Sequence, residues 1–236
     1  MQAGFLAVVG FCAAGAVAGA VARLLLSALP RGMPVRAGPF EVATAALWAL
    51  VASADLPGWW VPTACVLTWA AVPLVAVDLS HRRLPDALTL GVFPLLAVTL
   101  VVAAVGGGGV DVVLRAALGA GVFFALHALL ALAMPGALGG GDVKLAVPLG
   151  AVLGVLGPTW MLVALVVAAV VTLALIVVVP RWRSGAPHGP GLLGVTCALV
   201  IAVGVPGVSP VIAPRLPGAD VELNAPLAIE GFRRVG

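Results

Sequence analysis

Apolar stretches long enough to cross a lipid bilayer follow one another along almost the whole chain. A transmembrane helix needs about 20 apolar residues, because each residue of a helix adds only about 1.5 Å. Candidate spans fall at 4–29, 40–54, 59–77, 88–105, 110–134, 142–156, 158–179 and 191–205. Open strands are excluded, because lipid would leave their backbone groups unpaired. The sequence therefore predicts an all-α, polytopic membrane helix bundle of about eight transmembrane helices.

The composition excludes a soluble domain and a nucleic-acid-binding protein. Charged residues make up only 9% of the chain, whereas soluble domains carry about 25%. The 12 Lys and Arg residues exceed the 9 Asp and Glu residues by only three, and they form no basic stripe. Cys12, Cys65 and Cys197 lie far apart without a C-x-x-C pair, so neither a disulfide framework nor a metal site is predicted.

The connectors between spans alternate in charge, and this alternation predicts their orientation. The connectors around 55–58, 106–109 and 157 hold no Lys or Arg, whereas each of the alternate connectors holds at least one. These cations are Arg31, Arg36, Arg82, Arg83, Lys144, Arg181 and Arg183. By the positive-inside rule, the cation-bearing connectors are cytoplasmic and both termini are extracytoplasmic, in the cell (plasma) membrane.

The two ends of the chain differ in character. The first cation, Arg23, follows the first apolar run, the reverse of the order in a cleaved secretory signal. The sequence thus predicts an uncleaved first helix. Residues 1–205 are predicted to form an integral membrane domain, and residues 206–236 a Pro-rich extracytoplasmic tail. Within the spans, Gly15-x-x-x-Gly19 and Gly150-x-x-x-Gly154 predict close helix packing.

Two aspartates stand out because acids are so scarce here. Asp78 and Asp142 each lie at the cytoplasmic boundary of a predicted span, within a loop dense in turn residues. The glycines at 139–141 permit a positive φ and a close approach by another chain. A helix N-terminus stabilises a carboxylate such as Asp142, but Asp78 ends its helix, where the dipole disfavours one. Capping therefore explains one aspartate and not the other.

Two neighbouring carboxylates can carry out general acid–base chemistry. They cannot both ionise easily, so the pair holds one proton and titrates as a unit. The ionised member accepts a proton from attacking water, and the protonated member polarises a peptide carbonyl and then protonates the leaving amine. This route requires no metal and no organic cofactor.

Two motifs carry a family resemblance. Residues 78–90 read D-x₆-P-D-x-L-T-L and residues 139–145 read G-x-G-D-x-K-L; together they resemble the type IV prepilin peptidases, a GxGD family of intramembrane aspartyl proteases. The resemblance implies that Asp78 and Asp142 are catalytic, with Gly139 and Gly141 as the motif glycines. It also implies a membrane-inserted prepilin-like substrate (a type IV or Flp pilin or pseudopilin precursor), cleaved at the cytoplasmic membrane boundary.

The resemblance covers roughly residues 70–200. Pro187-His188-Gly189-Pro190 is similar to the family's P-x-G-P, with His188 in place of a more usual aromatic residue. Long members carry a cytosolic insertion with paired C-x-x-C motifs after the first helix, whereas about ten residues, 30–39, stand there in this chain. This chain therefore resembles a short form, for which methyltransferase activity and S-adenosylmethionine are not predicted.

Four further polar or turn residues have competing interpretations. Pro85, Asp86 and Lys144 belong to the two motifs and are predicted to lie along the approach of the substrate. Asp86 either contacts a basic leader peptide or caps the helix that begins at Ala87. Lys144 either tunes the carboxylate pair or anchors the helix at the membrane surface. For the mid-span His127, a hydrogen-bonded structural role is favoured over a functional one.

Two other function classes are consistent with the same residues. The aspartates of a small transporter or channel could bind a cation or proton, although such sites tend to lie at the membrane midplane within repeats. A non-catalytic relative could bind pilin subunits without cutting them. The lipid bilayer and a prepilin-like protein are the predicted partners; the oligomeric state stays open.

Overall fold

The chain forms a bundle of helices in a computed structural model that describes residues 2–29, 34–81, 86–135, 138–182 and 186–202. Within these ranges there are eight α-helices and no strand. They are α1 (Gln2–Ala28), α2 (Pro39–Ser53), α3 (Val61–His81), α4 (Asp86–Ala103), α5 (Val110–Ala133), α6 (Gly140–Leu156), α7 (Pro158–Val178) and α8 (Gly189–Ala202). A π-helical turn, Ala104–Gly108, extends α4. The predicted all-α bundle is confirmed.

The outer surface of the bundle is apolar. Leu118 and Leu132 on α5, and Val170 and Leu173 on α7, are each more than half exposed. Large exposed apolar surfaces are unfavourable in water but match the hydrocarbon of a bilayer. Of the eight helices in the described residues, five are long and apolar enough to cross a membrane. The protein is therefore a multi-pass membrane protein.

Glycines bring neighbouring helices into close contact. Gly15 and Gly19 of α1 face the backbone of α2 at Thr44 and Phe40, and a methyl group at either glycine would collide with it. Gly119 of α5 similarly meets the backbone of Gly150 and Gly154 of α6. Both predicted small-residue patterns thus lie at helix contacts, where van der Waals packing holds helices together in lipid.

One end of the bundle gathers residues from three helices that are distant in sequence. Asp78 lies in the last turn of α3, and Asp142 lies in the first turn of α6. Both approach Gly189, the first residue of α8. The opposite end holds the start of α3, where the indole N–H of Trp60 donates to the carbonyl of Val200 near the end of α8. We call the first of these the Asp78 end of the bundle.

The prediction that Asp78 and Asp142 lie in loops is wrong, because both lie inside helices. No Gly or Pro follows Asp78 before His81, so α3 continues for three residues beyond the aspartate. The Ser80 hydroxyl supports this last turn by donating to the carbonyl of Ala76 at 2.8 Å.

Some predicted features lie outside the described residues. They are Pro85, the cations Arg31, Arg82, Arg83 and Arg183, and the tail at 206–236.

Candidate active site

The two predicted site aspartates meet at the N-terminus of α8. An ideal Cβ built on Gly189 would lie 2.5 Å from Asp78 Oδ2 and 3.6 Å from Asp142 Oδ1. These two carboxylate oxygens therefore lie within about 6 Å of each other. One water molecule can hydrogen-bond to both oxygens at separations up to about 5.6 Å, because each O–H···O bond spans about 2.8 Å.

Asp78 has an environment that opposes a negative charge. The side chain is only 5% exposed, and its Oδ2 has no hydrogen-bond partner among the described residues. The Asp142 carboxylate repels it, and only the backbone amide of Gly189 favours its charged form. The C-terminal end of the α3 dipole is also unfavourable for an anion. Burial, dipole and neighbouring charge therefore all favour a protonated Asp78.

Asp142 has an environment that better tolerates a negative charge. It is the third residue of α6, and Gly139 is the N-cap. The backbone amide of Gly139 interacts favourably with its carboxylate, and the N-terminal end of the α6 dipole favours an anion. The side chain is partly exposed, unlike that of Asp78. Burial opposes a charge on both carboxyl groups, and the helix dipoles distinguish them, because the start of α6 favours an anion at Asp142 whereas the end of α3 disfavours one at Asp78.

The glycines at 139–141 do not adopt the positive φ that glycine permits. Gly139 is extended, with φ −73° and ψ 145°, and Gly140 and Gly141 are already helical. Positive φ values occur instead, among the described glycines, at Gly38, Gly107, Gly109 and Gly157. The positive φ that glycine permits is therefore not used at 139–141, because α6 begins earlier than predicted and includes two of the three glycines. The contact that does involve Gly139 is with the carboxylate of Asp142.

Lys144 and Asp86 pair with each other at the same end of the bundle. Lys144 Nζ lies 2.6 Å from Asp86 Oδ1, and the two side chains are 46% and 58% exposed. In the part of the chain that the structure describes, no ion pair joins Lys144 to Asp78 or Asp142. Asp86 is the first residue of α4, next to the predicted helix start at Ala87. The pair links α4 to α6 beside the aspartates.

Sequence reasoning missed the role of Gly189. The P-H-G-P stretch at 187–190 was noted only because it is similar to the family's P-x-G-P motif. That similarity gave no physical reason for a glycine at position 189. The structure supplies one: a side chain at Gly189 would collide with the Asp78 carboxylate and contact that of Asp142.

His127 has the hydrogen bond expected of a structural residue, but also an unused nitrogen. Its Nδ1 lies 2.8 Å from the carbonyl oxygen of Phe123. Its Nε2 is buried and has no hydrogen-bond partner among the described residues. The ring centroid of His188 lies 6.3 Å from that of His127. The structural interpretation thus accounts for only one side of the His127 ring.

Comparisons with known proteins identify relatives for this region. Residues 65–179 match the model of the type IV leader peptidase family. A prepilin leader peptidase/N-methyltransferase of Aeromonas salmonicida (strain A449) is 37% identical over 159 residues, which cover 64% of this chain and 53% of that protein. A protein of the same name from Aeromonas hydrophila is 40% identical over 117 residues, covering 48% of this chain and 39% of that protein. The chain thus spans about half the length of the Aeromonas salmonicida protein and less than half of the Aeromonas hydrophila protein. No solved structure matches significantly.

Proposed function

We propose that this chain, whose residues 65–179 match the type IV leader peptidase family, belongs to that family and is a membrane-embedded aspartyl endopeptidase that cleaves the leader from prepilin-like precursors. The observation that carries the proposal is the approach of Asp78 and Asp142 to within about 6 Å at Gly189. Two of the chain's nine acidic residues, brought together from different helices, match the requirement of a carboxylate pair for peptide hydrolysis.

The unequal environments of the two carboxyl groups suggest their roles. Asp142, at a helix N-terminus and partly exposed, is the ionised member and takes a proton from the attacking water. Asp78, buried and unpaired at Oδ2, is the protonated member and donates a hydrogen bond to the scissile carbonyl. The water oxygen bonds to the carbonyl carbon, and a tetrahedral intermediate forms. When the C–N bond breaks, the amine leaves with a proton from the pair.

The position of the pair suggests where cleavage occurs. Both aspartates lie within one turn of a helix end, and Lys144 and Asp86 lie at the same end of the bundle. The positive-inside rule assigns this end to the cytoplasm. We therefore propose cleavage at the cytoplasmic membrane boundary, where the leader of a membrane-inserted precursor emerges from lipid. The Aeromonas relatives are named for both peptidase and N-methyltransferase activity; for this chain we propose the peptidase alone.

Co-expression with a candidate prepilin tests the proposal. We expect the parent protein to shorten the precursor, and the Asp78→Ala and Asp142→Ala variants to leave it intact at equal membrane abundance. An Asp55→Ala variant is the matched control, because Asp55 lies in the connector between α2 and α3, outside the aspartate site. Unchanged cleavage by either site variant would refute the proposal. Aspartate-dependent ion flux in proteoliposomes without cleavage would favour a transporter instead.

A further inference from the structure

A cavity of about 530 Å³ lies between α5 and α7, beside the candidate active site. Its size is within the range of about 300–1,000 Å³ that is typical of ligand pockets. Leu138 and Ala186, from the segments that precede α6 and α8, line it as well. The lining is otherwise apolar except at three residues, His127, Thr172 and His188. We call this cavity the histidine groove.

The hydrogen bonds of His188 fix which of its ring nitrogens carries the proton. Thr172 Oγ1 donates its proton to the carbonyl oxygen of Ala168 at 2.8 Å, because a carbonyl can only accept. Thr172 Oγ1 must therefore accept at its second contact, from His188 Nδ1 at 2.9 Å. In the neutral ring, His188 Nε2 is consequently a hydrogen-bond acceptor.

The same reasoning applies to His127. Its Nδ1 faces the carbonyl of Phe123 at 2.8 Å and must donate to it. Its Nε2 is therefore a second acceptor, buried and without a partner among the described residues. His127 is only 1% exposed, so this lone pair is removed from water, and leaving a buried polar group unpaired is unfavourable. The groove thus combines apolar walls with two hydrogen-bond acceptors, the Nε2 atoms of His127 and His188.

A bound peptide substrate has backbone N–H groups that need hydrogen-bond acceptors. A scissile bond must leave the helical conformation to be reached by a water molecule and two carboxyl groups. The residues beside it then expose backbone N–H groups that a helix would have satisfied. Non-helical backbone at membrane depth is tolerated only where it is buried in protein or lines a water-filled cavity. An extended apolar segment in the histidine groove would therefore need acceptors.

The groove lies close enough to the aspartates to hold such a segment. His188 is adjacent in sequence to Gly189, which lies close to both Asp78 and Asp142. The ring of His127 contacts the groove next to His188, and the two ring centroids are 6.3 Å apart. Extended peptide spans about 3.3–3.6 Å per residue, so the histidines lie within a few residues of the bond that is cut.

We propose that the histidine groove is a substrate subsite, in which His127 Nε2 accepts a hydrogen bond from a backbone N–H of an extended apolar peptide segment next to the scissile bond. His188 forms the wall between this subsite and the aspartates, and Thr172 holds its ring in place. The proposal rests on the peptidase function proposed above. It adds that His127 is a specificity-determining residue of that reaction.

A backbone-methylation scan of the substrate tests the proposal. The probe is a synthetic peptide that covers the cleavage site of a precursor cut by the parent protein, N-methylated at one residue at a time beside the scissile bond. We expect one position at which methylation lowers kcat/KM about tenfold for the parent, the value for one lost hydrogen bond to a buried group. In His127→Phe, which keeps a ring but lacks the acceptor, we expect the unmethylated peptide to be impaired and no further loss on methylation.

The matched control is His81→Phe. His81 is the last residue of α3 and is exposed outside the groove, so this variant should show the parental methylation penalty. An undiminished penalty in His127→Phe would refute the groove proposal while leaving the peptidase proposal intact. His127→Asn, whose side-chain carbonyl is again an acceptor, should restore part of the penalty, which a purely structural role would not produce.

Binding separates this inference from the peptidase function. The affinity of the same labelled peptides for the Asp142→Ala protein, measured by fluorescence anisotropy in nanodiscs, requires no cleavage. We expect the same position-specific loss of affinity on methylation, and its disappearance when His127→Phe is added. Absence of cleavage by the parent would defeat the peptidase proposal. Peptide binding that is indifferent to both changes would defeat the subsite.

Discussion

Gly189→Ala is the substitution that most directly probes the geometry of the site. Its Cβ would lie 2.5 Å from Asp78 Oδ2, whereas an ordinary van der Waals contact begins at 3.4 Å. The carboxyl group or the start of α8 must therefore move by about 0.9 Å. Asp78 is almost fully buried, so its side chain has little room to withdraw, and the movement changes the separation of the two carboxyl groups.

A displacement of about 1 Å in a catalytic arrangement can reduce the rate about 100-fold, which corresponds to about 2.7 kcal/mol in the activation free energy. We expect a loss of that order in kcat/KM for Gly189→Ala. Gly194→Ala is the matched control, because it lies in the same helix and its Cβ would meet no atom within 4 Å. Neither glycine has a positive φ, so alanine fits both backbones and should favour the helix by about 0.5–1 kcal/mol.

The assay combines cleavage of a purified precursor with the thermal unfolding midpoint of each variant. We expect Gly194→Ala to keep parental activity with an equal or higher midpoint, and Gly189→Ala to lose activity while it remains folded. Activity of Gly189→Ala within threefold of the parent would refute the reasoning, because the carboxyl groups could not then meet at this residue.

Three further predictions concern the pairing, titration and packing of residues around the site. Lys144→Met should change the free energy of unfolding by less than about 1 kcal/mol, since the ion pair of Lys144 with Asp86 is exposed. The variant should also keep most of the cleavage activity. Complete loss of cleavage would contradict this and show that Lys144 acts on the aspartates. Burial lowers the pKa of His188 below its ordinary value of 6.5, so neutral His188 stabilises the fold above that value and the contribution is lost as the pH falls through the lowered pKa. The unfolding midpoint should thus fall less between about pH 7 and pH 5 in His188→Phe than in the parent, and an equal fall would contradict this assignment. Gly119→Ala should destabilise by about 1–3 kcal/mol through overpacking against α6, whereas Gly121→Ala, with no atom within 4 Å of its Cβ, should not; equal midpoints would contradict the close helix contact.

The helices were predictable because hydropathy is a local property. Each apolar run of α1 to α8 coincides with a helix to within a few residues, and the largest difference lies at the end of α3. There, hydropathy declines after Val77, although nothing in residues 78–81 terminates a helix. Hydropathy marks where apolar character ends, whereas the helix continues for as long as the backbone permits.

The aspartates could be selected from the sequence because acids are rare, but their arrangement could not. The meeting of Asp78 and Asp142 depends on how α3, α6 and α8 pack, and no local pattern encodes that contact. For the same reason the partner of Lys144 was not predicted, since Asp86 lies 58 residues away in sequence. The groove acceptor of His127 likewise appears only when α5 and α7 are placed side by side.

The central claim is that Asp78 and Asp142 act as one catalytic unit. Its most direct test is the steady-state cleavage rate of one precursor by the purified parent, Asp78→Asn, Asp142→Asn and the double variant, each shown to be folded. Groups that act together have non-additive effects. We predict that each single substitution reduces kcat by about 10⁴-fold or more, within the range of residues that act as a unit, and that the double variant is no worse than the singles. A single variant that retains activity within tenfold of the parent, or single losses that multiply in the double variant, would contradict the account.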